Sequence, residues 1–337
     1  MLIRPANSND IGALLALARE SGPGMTNFND NKQAMVEKIE QTTKSFSRNV
    51  ESPDDEYYFF VLEDPETARI VGCCGIFSTV GIHRPFYSFR VLNLTHTSME
   101  IEFYEPVRVL QMVEEHRGFA EIVSLYLTPD YRKDNNGKLL SRSRFLFMAE
   151  FRKRFPEFVI AEMRGRVDED GQSAFWDSLG GHFFPMNFIE ADQFNALGHF
   201  QFISDMMPKY PIYIRLLPEK AQAMIGKTHE HTLPALKMLE KEGFRNDGCV
   251  DVFDAGPVIK CPVDEIKTSR DSRTAIVTEI TSINEQPDSL ICNSKVQDFR
   301  LTRGQLIQGA ENAVTIDSLV ASRLNLSKGD QIRFVRF

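Results

Sequence analysis

Apolar and polar positions divide this chain into alternating strand-like and helix-like segments. Residues 57–64 and 69–79 are rich in aromatic or β-branched side chains, and a short turn around Pro65 and Glu66 separates them. Two such runs on either side of a short turn predict an antiparallel hairpin. Residues 121–127, "EIVSLYL", are apolar at nearly every position, which is typical of a central strand buried on both faces.

Helix-like segments follow most of these strands and carry the usual capping residues. A helix that begins near Asn9 or Asp10 follows a first strand at Leu2–Arg4, because Asn and Asp are preferred N-cap residues. Later helices are predicted from Gly137 to about Arg154, over 173–180, over 218–226 and over 232–243, and further strands over 158–165 and 244–256.

The last part of the chain has a different pattern. Residues 266–337 contain short β-branched runs and few helix signals, which predicts a β-rich addition.

Two segments of the chain, residues 175–184 and 239–253, share the same order of short helix, glycine and strand. No strict repeat period exists, so a solenoid is excluded, while a duplicated α/β unit remains open.

Composition and charge narrow the class of protein. The 337 residues suffice for roughly two domains, and 42% hydrophobic with 26% charged residues is typical of a soluble protein. No apolar stretch approaches the ~20 residues that span a bilayer, and the N-terminus does not resemble a signal peptide. We therefore expect a cytoplasmic protein without membrane contact.

The net charge of −8 argues against nucleic-acid binding, which requires a clustered positive surface. The most basic segment, 142–155, alternates Arg and Lys with Leu, Phe and Met. That pattern predicts a helix with one solvated basic face and one buried apolar face.

The five cysteines are odd in number and include no C-x-x-C pair. They favour buried free thiols over disulfides or a zinc site. Cys73 and Cys74 lie in an apolar strand, where burial should raise the pKa of a thiol.

The stretch 121–140 contains the strongest candidate binding site. A buried strand passes through a Pro-Asp turn and an Asn-Asn-Gly corner into a helix, and the first turn of a helix offers unpaired N–H groups and a positive dipole end to an anion. Asn135, Asn136 and Gly137 tolerate a left-handed backbone. Arg132 and Lys138 can add charge-assisted contacts, so the junction is predicted to bind a phosphate group.

Two nucleotide motifs do not match this junction. Gly137-Lys138 is followed by leucine and lacks the first glycine of a Walker P-loop, and G-x-G-x-x-G is absent. The remaining strand–R-x-x-x-x-G–helix pattern resembles the acyl-CoA site of the GNAT acyltransferase superfamily. In that superfamily the backbone of a splayed central strand pairs with pantetheine, and the pyrophosphate lies on the following helix start. An ordinary strand-to-helix corner is the alternative.

Longer stretches resemble the arginine N-succinyltransferase family, in order along the chain. They are "FYSFRV" (86–91), "NGKLLSRSRFLFMAEFR" (136–152), "AEMRG" (161–165), "FWDSLGGHFF" (175–184), "MPKYPIY" (207–213), "IGKTHEHTLPALKMLEKEGFR" (225–245), "DVFDAGP" (251–257) and, more loosely, "KGDQIRFVRF" (328–337). The resemblance implies transfer of succinyl from succinyl-CoA, a co-substrate and not a permanent cofactor, to the α-amino group of L-arginine.

The resemblance also implies the fold and its domains. We expect tandem GNAT-like folds with a mixed, largely antiparallel sheet, a splayed central strand and a β-rich C-terminal extension. The expected divisions are a cofactor-binding domain at 1–190, a partial second half at 191–265 and the β-rich segment at 266–337.

The family's functional residues transfer onto matching positions here. His229 in "IGKTHEHT" falls on the family's proposed proton donor, and His231 has the same setting. Leu125 in "SLYL" falls on its succinyl-CoA contact. The expected cofactor-binding set is Leu125, Leu127, Arg132, Gly137 and Lys138. "HEH" lacks a convergent third ligand, so no metal site is expected.

The acceptor site is less determined by sequence. A guanidinium should meet a buried acid and a carboxylate a basic group, with Glu162, Asp254 and Arg90 as candidates that could equally be structural. Residues 103–120 and 191–202 depart from the family's pattern and could shape the acceptor pocket. The alternatives are a related acyltransferase with another acceptor, such as ornithine, or a CoA-binding partner subunit of weak activity. Exposed strand edges would allow a homo- or hetero-oligomer.

Overall fold

The structure is a computed structural model that describes residues 1–22, 25, 27–168, 170–196, 201–285 and 287–337. Part of the divergent 191–202 segment, residues 197–200, lies outside the described residues. Within the described ranges, no helix is long and apolar enough to cross a bilayer.

Sixteen described strands form one mixed, largely antiparallel sheet. In chain order they are β1 (Leu2–Pro5), β2 (Tyr57–Asp64), β3 (Arg69–Phe77), β4 (Ser88–Ser98), β5 (Phe103–Val113), β6 (Ala120–Leu127), β7 (Phe158–Glu162), β8 (Ile212–Tyr213), β9 (Arg245–Asp251), β10 (Pro257–Pro262), β11 (Arg273–Thr281), β12 (Ser289–Asn293), β13 (Leu301–Gly304), β14 (Leu306–Gln308), β15 (Ala313–Asp317) and β16 (Gln331–Arg336). Across the sheet the order is β14-β15-β11-β16-β12-β13-β1-β2-β3-β6-β7-β10-β9-β4-β5-β8.

The described helices cover both faces of this sheet. They are α1 (Ile11–Ser21), α2 (Lys32–Ser47), α3 (Asn136–Glu150), α4 (Ala174–Ser178), α5 (Phe188–Ala196), α6 (Gln201–Met206), α7 (Glu219–Met224), α8 (Leu233–Glu242), α9 (Lys267–Asp271) and α10 (Ser318–Leu324). The predicted starts of α1 and α4 are confirmed; the hydroxyl of Ser173 accepts the Trp176 N–H at 3.2 Å.

The predicted β2–β3 hairpin and the central position of β6 are confirmed. β6 is antiparallel to β3, and its register steps from Val123↔Gly75 to Tyr126↔Cys73, so Ser124 and Leu125 lie opposite the single residue Cys74. This is a β-bulge, which bends the strand and leaves an extra residue unpaired.

On its other side β6 is parallel to β7, but only Ala120 and Glu121 are paired, with Val159 and Ile160. The two strands diverge beyond Glu121, and this is the predicted splay of the central strand. With the β-rich C-terminal segment, it confirms the predicted fold class. The division of the chain at residues 190 and 265 remains a prediction.

α3 is buried on nearly all sides, and this corrects the expectation of a solvated basic face over 142–155. The side chains of Arg142, Arg144 and Arg154 are all buried. α3 contacts β3 and β6 on one side and β12, β13, β16 and α9 on the other. The C-terminal segment therefore covers the face that the sequence pattern assigned to solvent.

Two of these arginines have structural partners. The Arg142 Nε atom lies 3.3 Å from Glu242 Oε1 and donates to Thr268 Oγ1 at 2.6 Å. Arg154 donates to the Ser45 carbonyl oxygen at 3.2 Å and to the Tyr58 hydroxyl at 3.0 Å. Both satisfy the rule that buried charges need hydrogen-bonding partners.

Several helices and strands end at residues other than those predicted from the sequence. α3 stops at Glu150 and a 3₁₀ turn, Arg152–Arg154, follows it. The predicted strand 244–256 stops at Asp251 because a turn anchored by Asp251 connects it to β10.

All five cysteines are buried and free, as predicted. Burial raises the pKa of the Cys74 thiol to about 11 and that of the Cys73 thiol well above its usual range.

Candidate active site

A large cavity opens where β6 and β7 diverge. Its volume is about 1670 Å³, more than the ~300–1,000 Å³ of a typical small-molecule pocket. It is lined by the α1–α2 connection, the loop after β3, β6, the start of α3, the end of β7, the start of α8 and the β9–β10 turn. The cavity is therefore larger than one small ligand needs.

The bulged part of β6 forms one wall of this cavity. Ser124 has a φ of 54°, a left-handed conformation that is uncommon for a residue with a side chain. The Ser124 hydroxyl donates to the Asn27 carbonyl oxygen at 3.0 Å, which ties the bulge to the α1–α2 connection. The predicted contacts Leu125 and Leu127 both line the cavity.

The start of α3 forms the next part of the wall, and we call residues 132–138 the cradle. Asp134 and Asn135 adopt left-handed φ angles of 53° and 62°, whereas Asn136 and Gly137 already belong to the helix. The left-handed turn therefore lies one to two residues earlier than the sequence pattern indicated. A Cβ on Gly137 would meet only a Leu127 methyl, at 4.0 Å, so this position is open toward the cavity.

The two predicted basic residues of the cradle are exposed and line the cavity. Arg132 donates its Nε–H to the Leu127 carbonyl oxygen at 2.9 Å, and its guanidinium lies 5.9 Å from the centre of the Tyr126 ring. The Lys138 Nζ lies 4.5 Å from the centre of the Phe337 ring. Burial, followed by the charge of Arg142, lowers the pKa of Lys138.

Two histidines lie beside the cavity and differ in access. His231 is exposed and lines the cavity, whereas His229 is half-buried and lies just outside the lining residues. The backbone N–H of His229 donates to the Arg164 carbonyl oxygen at 2.8 Å, and its Nδ1 accepts the His231 backbone N–H at 3.2 Å. Since Nδ1 is an acceptor, the neutral ring carries its proton on Nε2. Burial, then the charges of Arg164 and His231, lower the pKa of His229.

Four carboxylates form a further part of the cavity lining, and we call Glu121, Glu162, Asp251 and Asp254 the acidic wall. All four line the cavity. Burial raises the pKa of Glu121 and of Asp251 to about 8, with a further contribution from a neighbouring carboxylate in each case. Burial and the other three acids raise the pKa of Glu162 well above its usual range, and burial also raises that of Asp254.

A single guanidinium faces the cavity from α3. Arg144 is 2% exposed and lines the cavity. It donates to the Ser141 carbonyl oxygen at 3.3 Å and to the Ser141 hydroxyl at 3.2 Å. Among the residues that the structure describes, no carboxylate forms an ion pair with it, and burial lowers its pKa.

Other candidates lie outside the cavity. Arg90, the predicted partner of a substrate carboxylate, instead pairs with Glu115 and the Asp247 carbonyl oxygen. Residues 103–120 contribute no described residue to the cavity lining, whereas Asp192 and Asn195 from the second divergent segment do contribute.

His116, Asp247 and Cys249 are close enough to offer three metal ligands. However, the His116 ring nitrogens already contact Asp247 at 2.8 Å and Ser88 at 3.3 Å, so this cluster is accounted for as a buried polar network.

Comparisons with known proteins decide the family. The family model described as arginine N-succinyltransferase beta subunit matches residues 1–268, and the model of the C-terminal domain of the same subunit matches residues 273–336. The chain belongs to the arginine N-succinyltransferase family.

Relatives of this family are similar along the whole chain. An arginine N-succinyltransferase from Citrobacter koseri is 41% identical over 340 aligned positions, covering 100% of this chain and 97% of that protein. One from Escherichia coli is 40% identical with the same coverage. The structure of arginine/ornithine succinyltransferase subunit AI from Pseudomonas aeruginosa superposes with a TM-score of 0.90 at 32% identity, covering 99% of this chain and 98% of that one.

Sequence reasoning found the cradle and missed parts of the buried walls. Glu121, Asp251 and Arg144 were not predicted as site residues. A signal existed for Glu121, since a carboxylate at the start of the apolar run "EIVSLYL" has no obvious structural use. The predicted roles of His229, Leu125, Leu127, Arg132, Gly137 and Lys138 remain predictions.

Proposed function

We infer that this chain transfers the succinyl group of succinyl-CoA to the α-amino group of L-arginine. The observation that carries the proposal is the bulged, splayed β6 leading directly into the cradle, in a member of the arginine N-succinyltransferase family. Unpaired backbone groups on β6 would hydrogen-bond the pantetheine arm beside Leu125 and Leu127. The helix start, Arg132 and Lys138 would then hold the diphosphate.

The reaction needs no covalent enzyme intermediate. The neutral α-amine attacks the thioester carbonyl carbon, an amide bond forms, and the carbon–sulfur bond breaks. The amine loses one proton and the departing thiolate of CoA gains one. A thiolate is a better leaving group when a proton is delivered to it, which is a task for a general acid.

His229 is proposed as that proton donor. Its lowered pKa keeps the ring neutral near pH 7, and the hydrogen bond to Nδ1 leaves the proton on Nε2. The neutral ring can accept the proton that the amine loses, and the imidazolium formed in this way can deliver a proton to the departing thiolate. His231 is the alternative donor because it lines the cavity.

Arg144 supports a dicarboxylic acyl group. A buried guanidinium without an acid partner is costly unless a ligand supplies the counter-charge. The free carboxylate of succinyl would supply it, whereas acetyl would not. Arginine is also the side chain best suited to bind a carboxylate with two parallel hydrogen bonds.

Ornithine is a second candidate acceptor, because the name of the Pseudomonas aeruginosa relative includes both amino acids. A cytoplasmic location, and the choice between homo- and hetero-oligomer, remain predictions.

The test is release of free CoA thiol from succinyl-CoA by the purified chain, with arginine or ornithine as acceptor and mass spectrometry of the product. We expect release with arginine and a product heavier by one succinyl group. Release with ornithine but not with arginine would show that ornithine, and not arginine, is the acceptor. CoA binding without release with either would favour a partner subunit.

A further inference from the structure

We propose that the acidic wall is the receptor for the guanidinium of the acceptor, with Glu121 and Glu162 as the side chains that bind it. This rests on the proposed function and identifies the residues that recognise the substrate.

Glu121 and Glu162 have no polar partner among the described residues of the protein alone. Glu121 is only 4% exposed, and Glu162 is half-buried. Across the part of the chain that the structure describes, neither carboxylate has a hydrogen-bond or ion-pair partner, although both line the cavity. A buried, unpartnered carboxylate is costly, so a cationic ligand is the natural complement.

The two aspartates of the wall behave differently. Asp254 accepts the backbone N–H of Gly165 at 2.6 Å and of Gly256 at 2.8 Å, and a Cβ on Gly165 would collide with the Asp254 carbonyl oxygen. Asp251 accepts the N–H groups of Phe253 and Asp254 at 2.7 and 2.8 Å. These acids hold the β9–β10 turn and add negative charge behind the two glutamates.

The strand register places the glutamates side by side. Glu121 is paired with Ile160 across the β6–β7 contact. Glu162 is two residues further along β7 and therefore points to the same face of the sheet as Ile160 and Glu121. The two carboxylates flank the opening of the splay, where a planar guanidinium could be bound from both sides.

The spacing fits the length of the acceptor. Glu121 lies four residues before Leu125, at most roughly 13 Å along the strand. Arginine has six bonds of about 1.5 Å between its α-nitrogen and its guanidinium carbon and extends roughly 7–8 Å. Hydrogen-bond contact of ~3 Å at each end covers the remaining distance. An α-amine at the acyl group beside Leu125 would thus place the guanidinium, and not the amine, at the wall.

The test compares L-arginine with L-citrulline, which has the same shape but a neutral urea group, in the wild type, Glu162→Gln, Glu121→Gln and the exposed control Glu279→Gln. We expect each wall variant to raise the KM for arginine by roughly tenfold to a hundredfold, the size of a lost charge-assisted hydrogen bond. The KM for succinyl-CoA and the reaction with citrulline should change little, and Glu279→Gln should match the wild type.

An arginine KM within twofold of the wild type in both wall variants would overturn the proposal, as would equal losses with arginine and citrulline. Thermal unfolding shows whether a variant is folded. Wild-type turnover of arginine tests the proposed function separately. If the wild type binds arginine without turnover, calorimetry replaces the KM, with the same expected ratio. Absence of arginine binding to the wild type would also overturn the proposal.

Discussion

The cradle and the acidic wall bound one cavity but are built in opposite ways. The cradle is one continuous stretch, 132–138, whose charged side chains are exposed and whose proposed binding groups are mainly backbone N–H groups. The acidic wall joins β6, β7 and the β9–β10 turn, and its carboxylates are buried or half-buried. A site that tolerates exposure can be local, whereas a site that relies on desolvated charge needs several elements to exclude water.

The comparison predicts separate kinetic effects. Variants in the cradle should change the KM for the acyl donor, and variants in the acidic wall should change the KM for the acceptor. Variants of the proton donor should change kcat alone.

The largest effect is expected for the proton donor. His229→Ala should lower kcat at least a hundredfold, because general acid–base help contributes about 10²–10⁴-fold, while succinyl-CoA still binds. Steady-state kinetics with calorimetric binding of CoA measure this. His231→Ala is the matched control, and a larger loss in that variant would transfer the role to His231.

The next largest effect concerns the acyl donor. Arg144→Gln should raise the KM for succinyl-CoA by roughly tenfold or more, because it removes a charged contact to the succinyl carboxylate. The KM for acetyl-CoA should stay nearly constant in the same assay. Equal losses with both donors would indicate that Arg144 only supports the packing of α3.

A smaller effect is expected in the cradle. Arg132→Ala should raise the KM of succinyl-CoA by roughly fivefold, since an exposed charge pair is worth about 1 kcal/mol or less. Raising the salt concentration should shrink the difference between variant and wild type. A raised KM for arginine in this variant would contradict the assignment of the cradle to the acyl donor and of the acidic wall to the acceptor.

The smallest effect is on stability. Glu121 and Asp251 ionise in the folded chain with a pKa of about 8, but near pH 4 when unfolded. The unfolded chain therefore binds fewer protons between these values, and the free protein should lose stability as the pH rises from about 4 to about 8.

Glu121→Gln removes one of these carboxyls, so it should stabilise the free protein at pH 8 by on the order of 1 kcal/mol and have little effect at pH 4. Urea unfolding at the two pH values measures the difference. A variant less stable than the wild type at pH 8 would contradict the raised pKa.

Local features of the fold were predictable from sequence. The hairpin β2–β3, the central β6 and the glycine that ends α8 follow from short-range patterns. The cradle was found for the same reason, because Arg132, Gly137 and Lys138 are neighbours in sequence.

Features that depend on distant contacts were not predictable. The basic residues of α3 looked solvated because the periodicity of a helix does not show that residues beyond 266 will cover its second face. The acidic wall could not be predicted as a cluster from the sequence, because Glu121 and Asp251 are brought together only by the pairing of β6, β7, β10 and β9.

The order of the strands also limits how this protein can associate. Among the described residues, the open sheet of sixteen strands ends in β14, Leu306–Gln308, and β8, Ile212–Tyr213. Both terminal strands are short, but among the described strands β8 pairs only with Val109 and Leu110 of β5, and β9 pairs only with Ser88–Arg90 of β4. The outer part of the β4–β5 hairpin therefore has unpaired backbone edges on both sides. Association by strand pairing would therefore use this hairpin, whose turn region also carries the exposed Met99, Ile101 and Tyr104.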